Sequence, residues 1–281
     1  MNSSCLLPLE QASQDALAAV RIVLADIDDT LTTDGHLTAR AYDALERLAV
    51  EGFPVVPVTG RPAGWCDLIA RFWPVAGVVG ENGALAFSYD RVARRMTRLF
   101  AKSDAERTAD RARLAKLGED ILATVPGSAL AADQPYRIAD LAIDYCEDVP
   151  ALSADAVARI VARFERAGAT AKVSSIHVNG WFGNYDKLTM ATRLLHEVLQ
   201  INLAAEGEHA LYVGDSPNDM PFFAALPLTV GVANIATFAA TMTALPSFIT
   251  KASGGEGFAE LADRLVDART SALAPTGEGM G

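Results

Sequence analysis

The stretch Arg21-Ile-Val-Leu-Ala-Asp-Ile-Asp-Asp-Thr30 decides the fold. A short apolar run that ends abruptly in acidic residues reads as a buried strand of a parallel sheet. It delivers Asp26 and Asp28 to that strand's carboxyl end. Further along, Thr38 caps a helix whose Tyr42, Leu45 and Leu48 share one face, and Gly52 stops it. Residues 54–58 form a second strand, in which Pro57 can donate no ladder bond. Thr59-Gly60-Arg61 turns the chain, and Pro62 suits a first helical position. The expected buried stripe of that helix is Trp65, Leu68, Ile69 and Phe72. Residues 77–79 are a third strand, leading into Gly-Glu-Asn-Gly-Ala at 80–84. Strand, helix, strand, helix, strand is the signature of a parallel sheet with helices on its faces.

The same rhythm returns late in the chain. Residues 186–200 read as a helix with Met190, Leu194, Val198 and Leu199 inward. Residues 211–213 are a strand followed by Gly-Asp-Ser-Pro-Asn-Asp at 214–219. Residues 228–232 and 248–249 are strand-like, and Phe258, Leu261 and Leu265 mark a final helix. The stretch 85–184 is too long for a loop. It carries helix patterns at Leu114, Leu117 and Ile121 and at Val157, Ile160, Val161 and Phe164, with strands over 141–145 and 172–178. The expected fold class is therefore α/β, with a Rossmann-like parallel-sheet core and an inserted α+β cap domain. The core comprises 21–84 and 185–267, the cap 85–184, an N-terminal extension 1–20 and a disordered tail 268–281.

Composition narrows the function. With 24 Lys and Arg against 35 Asp and Glu, the formal net charge is −11. That balance argues against a general nucleic-acid binder, which needs basic surface to displace counterions. No apolar run approaches the ~20 residues that span a bilayer, and the N-terminus makes a poor signal peptide. Cys5, Cys66 and Cys146 form no CxxC pair, and their odd number argues against a disulfide framework. The expectation is a soluble cytoplasmic protein with a small-molecule partner, without nucleic acid or membrane; the oligomeric state is not legible.

Ligands of open parallel sheets bind beyond the strands' carboxyl ends, and here those ends carry chemistry: Asp26 and Asp28, then Thr59, then Asp215 with Asn218 and Asp219. Lys187 opens a helix between them. If the strands adjoin, the carboxylates crowd one crevice, and Lys187 alone cannot offset them. A hard divalent cation can, and all-oxygen ligation favours Mg²⁺. Asp26 can then act as a nucleophile toward phosphorus. Asp28 can protonate a leaving alkoxide and later deprotonate water. The Thr59 hydroxyl, the Gly60 amide and Asn218 can donate to phosphate oxygens, and Asp219 can accept from a metal-bound water or orient Lys187. Arg61 is a candidate phosphate or substrate contact, set against a structural ion pair.

In order, Asp-Ile-Asp-Asp-Thr (26–30), Val-Thr-Gly-Arg-Pro (58–62), Tyr-Asp-Lys (185–187) and Gly-Asp-Ser-Pro-Asn-Asp (214–219) resemble the haloacid dehalogenase superfamily of aspartyl-phosphate phosphatases. Gly-Glu-Asn-Gly-Ala before a long insert is similar to the Cof-type branch with a C2 cap, which holds sucrose-phosphate, trehalose-phosphate and mannosyl-phosphoglycerate phosphatases. The resemblance implies that Asp26 is nucleophile and metal ligand. It makes Asp28 the acid/base, with its main-chain carbonyl on the metal. Thr59 and Lys187 would hold phosphate, Asp215 the metal, and Asp219 would support it. Asp29 stands where many relatives have Gly and receives no role. The expected function is Mg²⁺-dependent hydrolysis of a small phosphorylated metabolite, foremost a sugar phosphate. A phosphotransferase or mutase of the same fold, or a receiver-like phospho-aspartate module, are the alternatives. Two softer clues lie in the insert: the basic cluster Arg91, Arg94, Arg95, Arg98 and Lys102, and the aromatics Trp181, Phe182 and Tyr185. Each is a candidate substrate surface or mere packing and solvated face.

Overall fold

The computed structural model describes residues 6–174 and 176–273. In chain order the strands are β1 (Leu7–Pro8), β2 (Ile22–Ala25), β3 (Val55–Pro57), β4 (Val78–Gly80), β5 (Leu85–Asp90), β6 (Arg95–Phe100), β7 (Ala129–Leu130), β8 (Leu141–Asp144), β9 (Thr170–Val173), β10 (His177–Trp181), β11 (Ala210–Gly214), β12 (Leu228–Gly231) and β13 (Phe248–Ile249). The α-helices are α1 (Gln14–Ala18), α2 (Ala39–Val50), α3 (Ala63–Phe72), α4 (Asp104–Thr124), α5 (Ala154–Arg166), α6 (Lys187–Glu197), α7 (Leu203–Glu206), α8 (Met220–Ala225) and α9 (Gly254–Leu273).

The chain divides into two compact units. The first comprises Met1–Val58, Phe72–Gly77 and Leu195–Gly281, and the second Thr59–Arg71 and Val78–Leu194. The first unit is built on a six-stranded sheet in the order β1-β13-β12-β11-β2-β3. Every pairing in it is parallel. Its strands are apolar because both faces are covered; β2, β11 and β12 are buried at every position. β3 ends the sheet order, and Pro57 costs no bond to β2, because the donor to Ala25 O is the next residue, Val58 N, at 2.8 Å. The Thr38 hydroxyl accepts from Ala41 N at 3.2 Å and starts α2, which packs on α9 through Leu45 and Leu48. Chain order runs from β2 outward to β3, then returns to the other side of β2 as β11, β12 and β13. The strand order therefore reverses between β2 and β11.

The second unit holds two antiparallel sheets, β4-β5-β6 and β7-β8-β10-β9. Leu141, Ile143 and Val178 of the four-stranded sheet meet Leu114 and Ile121 of α4 and Ile160 and Phe164 of α5 in one apolar cluster. Gly180 is obligatory there, because a Cβ would lie 2.0 Å from the Phe164 ring.

Four sequence expectations are corrected. β4 pairs with β5 in an antiparallel sheet and is not a third strand of the parallel one. Residues 172–178 are not one strand; β9 and β10 pair back on each other. On α3 the buried face is Ala63, Cys66, Ile69 and Ala70, whereas Trp65, Leu68 and Phe72 are exposed. Phe182, for which packing was one of two open readings, belongs to the apolar cluster. Helix α9 continues through residues 268–273, where a tail was expected; residues 274–281, and Cys5, lie outside the described residues. The first unit also uses the N-terminal extension, whose β1 completes the sheet and whose Leu9 and Leu17 are fully buried. Cys66 and Cys146 are free thiols. Among the described residues no helix is long and apolar enough to cross a membrane.

Candidate active site

The reversal between β2 and β11 is where an open parallel sheet leaves a crevice at its carboxyl edge. The two strands are in register, Ala25 opposite Val213, so Asp26 and Asp215 emerge side by side. Asp26, Asp215 and Asp219 are all buried, and each contributes one carboxylate oxygen to a group whose members lie within 4.8 Å of one another. The condition set by the sequence, that the strands adjoin, is met.

Local structure holds each carboxylate. Asp26 N donates to Val213 O at 3.0 Å, extending the ladder by one residue. The chain then turns tightly, with Leu31 N and Thr32 N both donating to Ile27 O at 2.9 Å. Asp29 sits in the left-handed region at φ 57°, a conformation that Gly adopts freely and Asp tolerates. The turn places Thr30 Oγ1 as a donor to Asp215 Oδ1 at 3.2 Å. Asp219 accepts from Asp215 N at 2.9 Å and Ser216 N at 3.1 Å through Oδ2, and from the Tyr212 hydroxyl through Oδ1. These donors hold the 214–219 turn around Asp219. They also require Gly214, where a Cβ would fall 2.4 Å from Asp219 Oδ2. Asp219 thus acts on the shape of the turn that carries Asp215. The carboxylate of Asp28, two residues after Asp26 and half-buried, is not part of the group of three. Asn218 is half-buried in the short helical turn Pro217–Asp219.

Two residues of this cluster escaped the sequence reading. Thr30 is one. Asn234 is the other: its Nδ2 donates to Asp215 Oδ2 at 3.1 Å and to Asp29 O at 3.0 Å, and its Oδ1 accepts from Gly254 N at 3.0 Å. The available signal was its position just past the carboxyl end of β12.

Burial, with Asp26, Asp219 and Asp29 nearby, pushes the Asp215 carboxyl up to about 8; the Thr30 hydroxyl opposes this only in part. A carboxyl raised by burial and by neighbouring carboxylates is one that a cation placed beside it would favour in its ionised form. Buried all-oxygen donors in such a field suit a hard divalent cation such as Mg²⁺, so the residues present fit the metal that the resemblance implies.

The other expected residues lie in the second unit. Thr59 is fully buried, its N–H donating to Val79 O at 2.9 Å and its Oγ1 accepting from Arg61 N at 3.0 Å. Gly60 O accepts from Arg137 Nη1 at 3.0 Å. The Arg61 guanidinium lies 4.6 Å above the Trp65 ring centre and 3.7 Å from a Glu147 carboxylate oxygen. Lys187 is buried at the first position of α6. Of the basic cluster, Arg98 pairs with Asp67 at 3.0 Å and Lys102 with Asp110 at 2.5 Å. Trp181 stacks on Tyr185 with ring centres 5.9 Å apart.

The sequence model of the family described as haloacid dehalogenase-like hydrolase matches residues 23–119. Over 257 residues the chain is 26% identical to the phosphoglycolate phosphatase of Methanothermobacter thermautotrophicus, a match covering 88% of this chain and 99% of that protein. Among solved structures it is similar to the Thermoplasma acidophilum protein 0175, with a TM-score of 0.66 at 20% identity over 88% of this chain and 98% of that one. It is also similar to a HAD/COF-like hydrolase from Plasmodium vivax, with a TM-score of 0.64 at 18% identity over 90% and 99%. The motif resemblance agrees with the family model over residues 23–119, and the expected fold is borne out by the solved structures.

Proposed function

We propose that this chain is a Mg²⁺-dependent phosphomonoester hydrolase that acts through an aspartyl-phosphate on Asp26. The observation that carries the reading is the trio of buried carboxylate oxygens within 4.8 Å at the β2/β11 reversal. Asp26 and Asp215 would hold the cation, with the main-chain carbonyl of Asp28 as the further ligand implied by the resemblance. Bound there, the cation supplies electrostatic stabilisation of phosphate oxygens and screens them from Asp26.

The chain's own groups account for the remaining chemistry. An Asp26 oxygen attacks phosphorus and the ester oxygen departs, taking a proton from Asp28. Asp28 then removes a proton from water, whose oxygen attacks the same phosphorus. The Asp26–phosphorus bond breaks, leaving inorganic phosphate and the free carboxylate. Asp219, Thr30 and Asn234 hold Asp215 in place. Thr59, Gly60, Arg61, Lys187 and Asn218 are assigned to phosphate and substrate.

The substrate we propose is a small phosphorylated metabolite, foremost a sugar phosphate. The relative named as a phosphoglycolate phosphatase supports this size class and adds a phosphorylated carboxylic acid to the candidates. The test is release of inorganic phosphate from a panel of sugar phosphates and phosphoglycolate, with Mg²⁺ and with EDTA. Turnover of at least one ester that EDTA abolishes is the expected result. Isomerised sugar phosphate without free phosphate would instead indicate a mutase. Failure on every ester, p-nitrophenyl phosphate included, would contradict the reading.

A further inference from the structure

Within the second unit, the turn at 80–83 touches both elements that carry its assigned phosphate groups. Gly80 passes so close to the 61–66 segment that a Cβ would lie 2.3 Å from Cys66 Sγ and 3.3 Å from Arg61 O. Glu81 N donates to Arg61 O at 3.0 Å, and Asn82 N donates to Thr59 O at 3.2 Å. The Asn82 side chain lies against Gly60, where a Cβ would meet Oδ1 at 3.2 Å. Gly83 lies against the start of α6: a Cβ there would fall 2.0 Å from Asp186 O and 2.7 Å from Lys187 N. Glu81, Asn82 and Gly83 all have positive φ, at 44°, 55° and 100°. Two consecutive non-glycine residues in that region cost energy, and they persist only where surroundings impose them.

What imposes them is the Glu81 carboxylate, which is fully buried. It accepts from Ala63 N at 2.9 Å at the start of α3, from Ile138 N at 2.9 Å, from Ala139 N at 2.7 Å and from Asp140 N at 3.3 Å. Arg137 closes the arrangement from the same segment. Its side chain is almost fully buried, it grips Asp133 through two nitrogens at 2.9 and 3.0 Å, and it reaches Asp140 at 3.0 Å and Gly60 O at 3.0 Å. Here one guanidinium pairs with the buried Asp140 and the half-buried Asp133, and its charge also favours the ionised Glu81. Burial together with Asp140 pushes the Glu81 carboxyl up to about 7. Ion clusters of this kind seldom add stability over apolar packing of equal volume. A role in holding geometry is the better account of this one.

We infer that the turn Gly80–Gly83, locked by Glu81 and Arg137, is a positioning device that fixes Thr59–Arg61 and the Lys187 end of α6 in one frame, and so sets affinity for phosphate. This rests on the phosphate-binding role proposed above for those residues. Glu81 and Asn82 are positioning residues and touch no reacting atom in this scheme. A loosened turn weakens substrate and transition state alike, which raises KM and leaves kcat nearly unchanged.

The test compares wild type with Glu81→Gln and Asn82→Gly, measuring inorganic phosphate affinity by calorimetry in the presence of Mg²⁺, together with KM and kcat. Each variant is expected to weaken phosphate binding and raise KM about tenfold, with kcat changed less than about threefold. Asn82→Gly is compatible with the positive φ, so it decides the matter if Glu81→Gln does not fold. Phosphate affinity and KM equal to wild type in the folded variants would overturn the inference, as would a fall in kcat with phosphate affinity kept. Asp26→Asn separates this from the hydrolase reading: unchanged turnover in that variant sinks the reading, whereas the phosphate affinities judge the turn whatever its outcome.

Discussion

Each compact unit buries a cluster of carboxylates, and the two clusters are balanced in different ways. In the second unit Asp133 and Asp140 hold the Arg137 guanidinium, and backbone N–H groups from α3 and the 138–140 segment converge on the buried Glu81. In the first unit Asp215 receives Thr30 Oγ1 and Asn234 Nδ2, both neutral donors, while Asp26 and Asp219 crowd it. One cluster carries its own cation. The other is the group we propose to hold a cation from outside. On the proposed reading, the contrast separates acids that serve architecture from acids that serve chemistry, even though both look acidic in the sequence.

The comparison can be broken most severely at Asp26. Asp26→Asn is expected to lower kcat by at least about a thousandfold while the far-UV spectrum is retained, since it removes the proposed nucleophile; steady-state kinetics on the best ester of the panel checks it. Next in size is the neutralising cation of the second unit. Arg137→Met leaves the buried Glu81 and Asp140 and the half-buried Asp133 without it and should cost about 3–5 kcal/mol in urea denaturation. Asp215→Asn should have the opposite sign on metal-free protein. It relieves repulsion and should raise stability by about 1 kcal/mol while abolishing stabilisation by Mg²⁺. Equal destabilisation by both variants would erase the distinction between the clusters.

A smaller effect sharpens the same point through pH. The folded metal-free chain holds a proton on Asp215 up to about 8, whereas the unfolded carboxyl releases it near its ordinary value. Below that ordinary value both states are protonated. Through the window between them the folded state binds more protons, so stability falls as pH rises and levels off above about 8. Glu81 adds the same sign up to about 7. Urea denaturation between about pH 5 and 8 should therefore show a declining stability that Asp215→Asn flattens. The smallest change is expected for Thr30→Val, which removes one neutral donor to Asp215 and should weaken Mg²⁺ binding by about 1 kcal/mol.

Much of the first unit was legible because parallel strands announce themselves as apolar runs cut off by functional residues. Ile22–Ala25 stops at Asp26 and Ala210–Gly214 at Asp215, while the adjacency of those strands stayed a condition until the β2–β11 pairing met it. The second unit was harder for specific physical reasons. Helical spacing on α3 fits Trp65, Leu68 and Phe72 as well as it fits Ala63, Cys66 and Ala70. Periodicity marks a stripe, and only the packing shows that the small residues face inward. The β9–β10 turn lacks Gly and Pro, so two antiparallel strands read as one. The β5–β6 hairpin is hidden because its outer strand is rich in exposed charge. Glu81 stood in a recognised motif, but its partners at Ile138, Ala139 and Asp140 come from a remote segment that no local pattern links to it. Asn234 was invisible for the same reason.

The most direct trial of the central claim is calorimetric titration of Mg²⁺ into metal-free protein, wild type beside Asp215→Asn. Saturable binding at a single site in wild type, strengthening as pH rises through about 8 and lost in the variant, is what the acidic trio requires. No saturable binding in wild type, or binding that Asp215→Asn leaves intact, would contradict it.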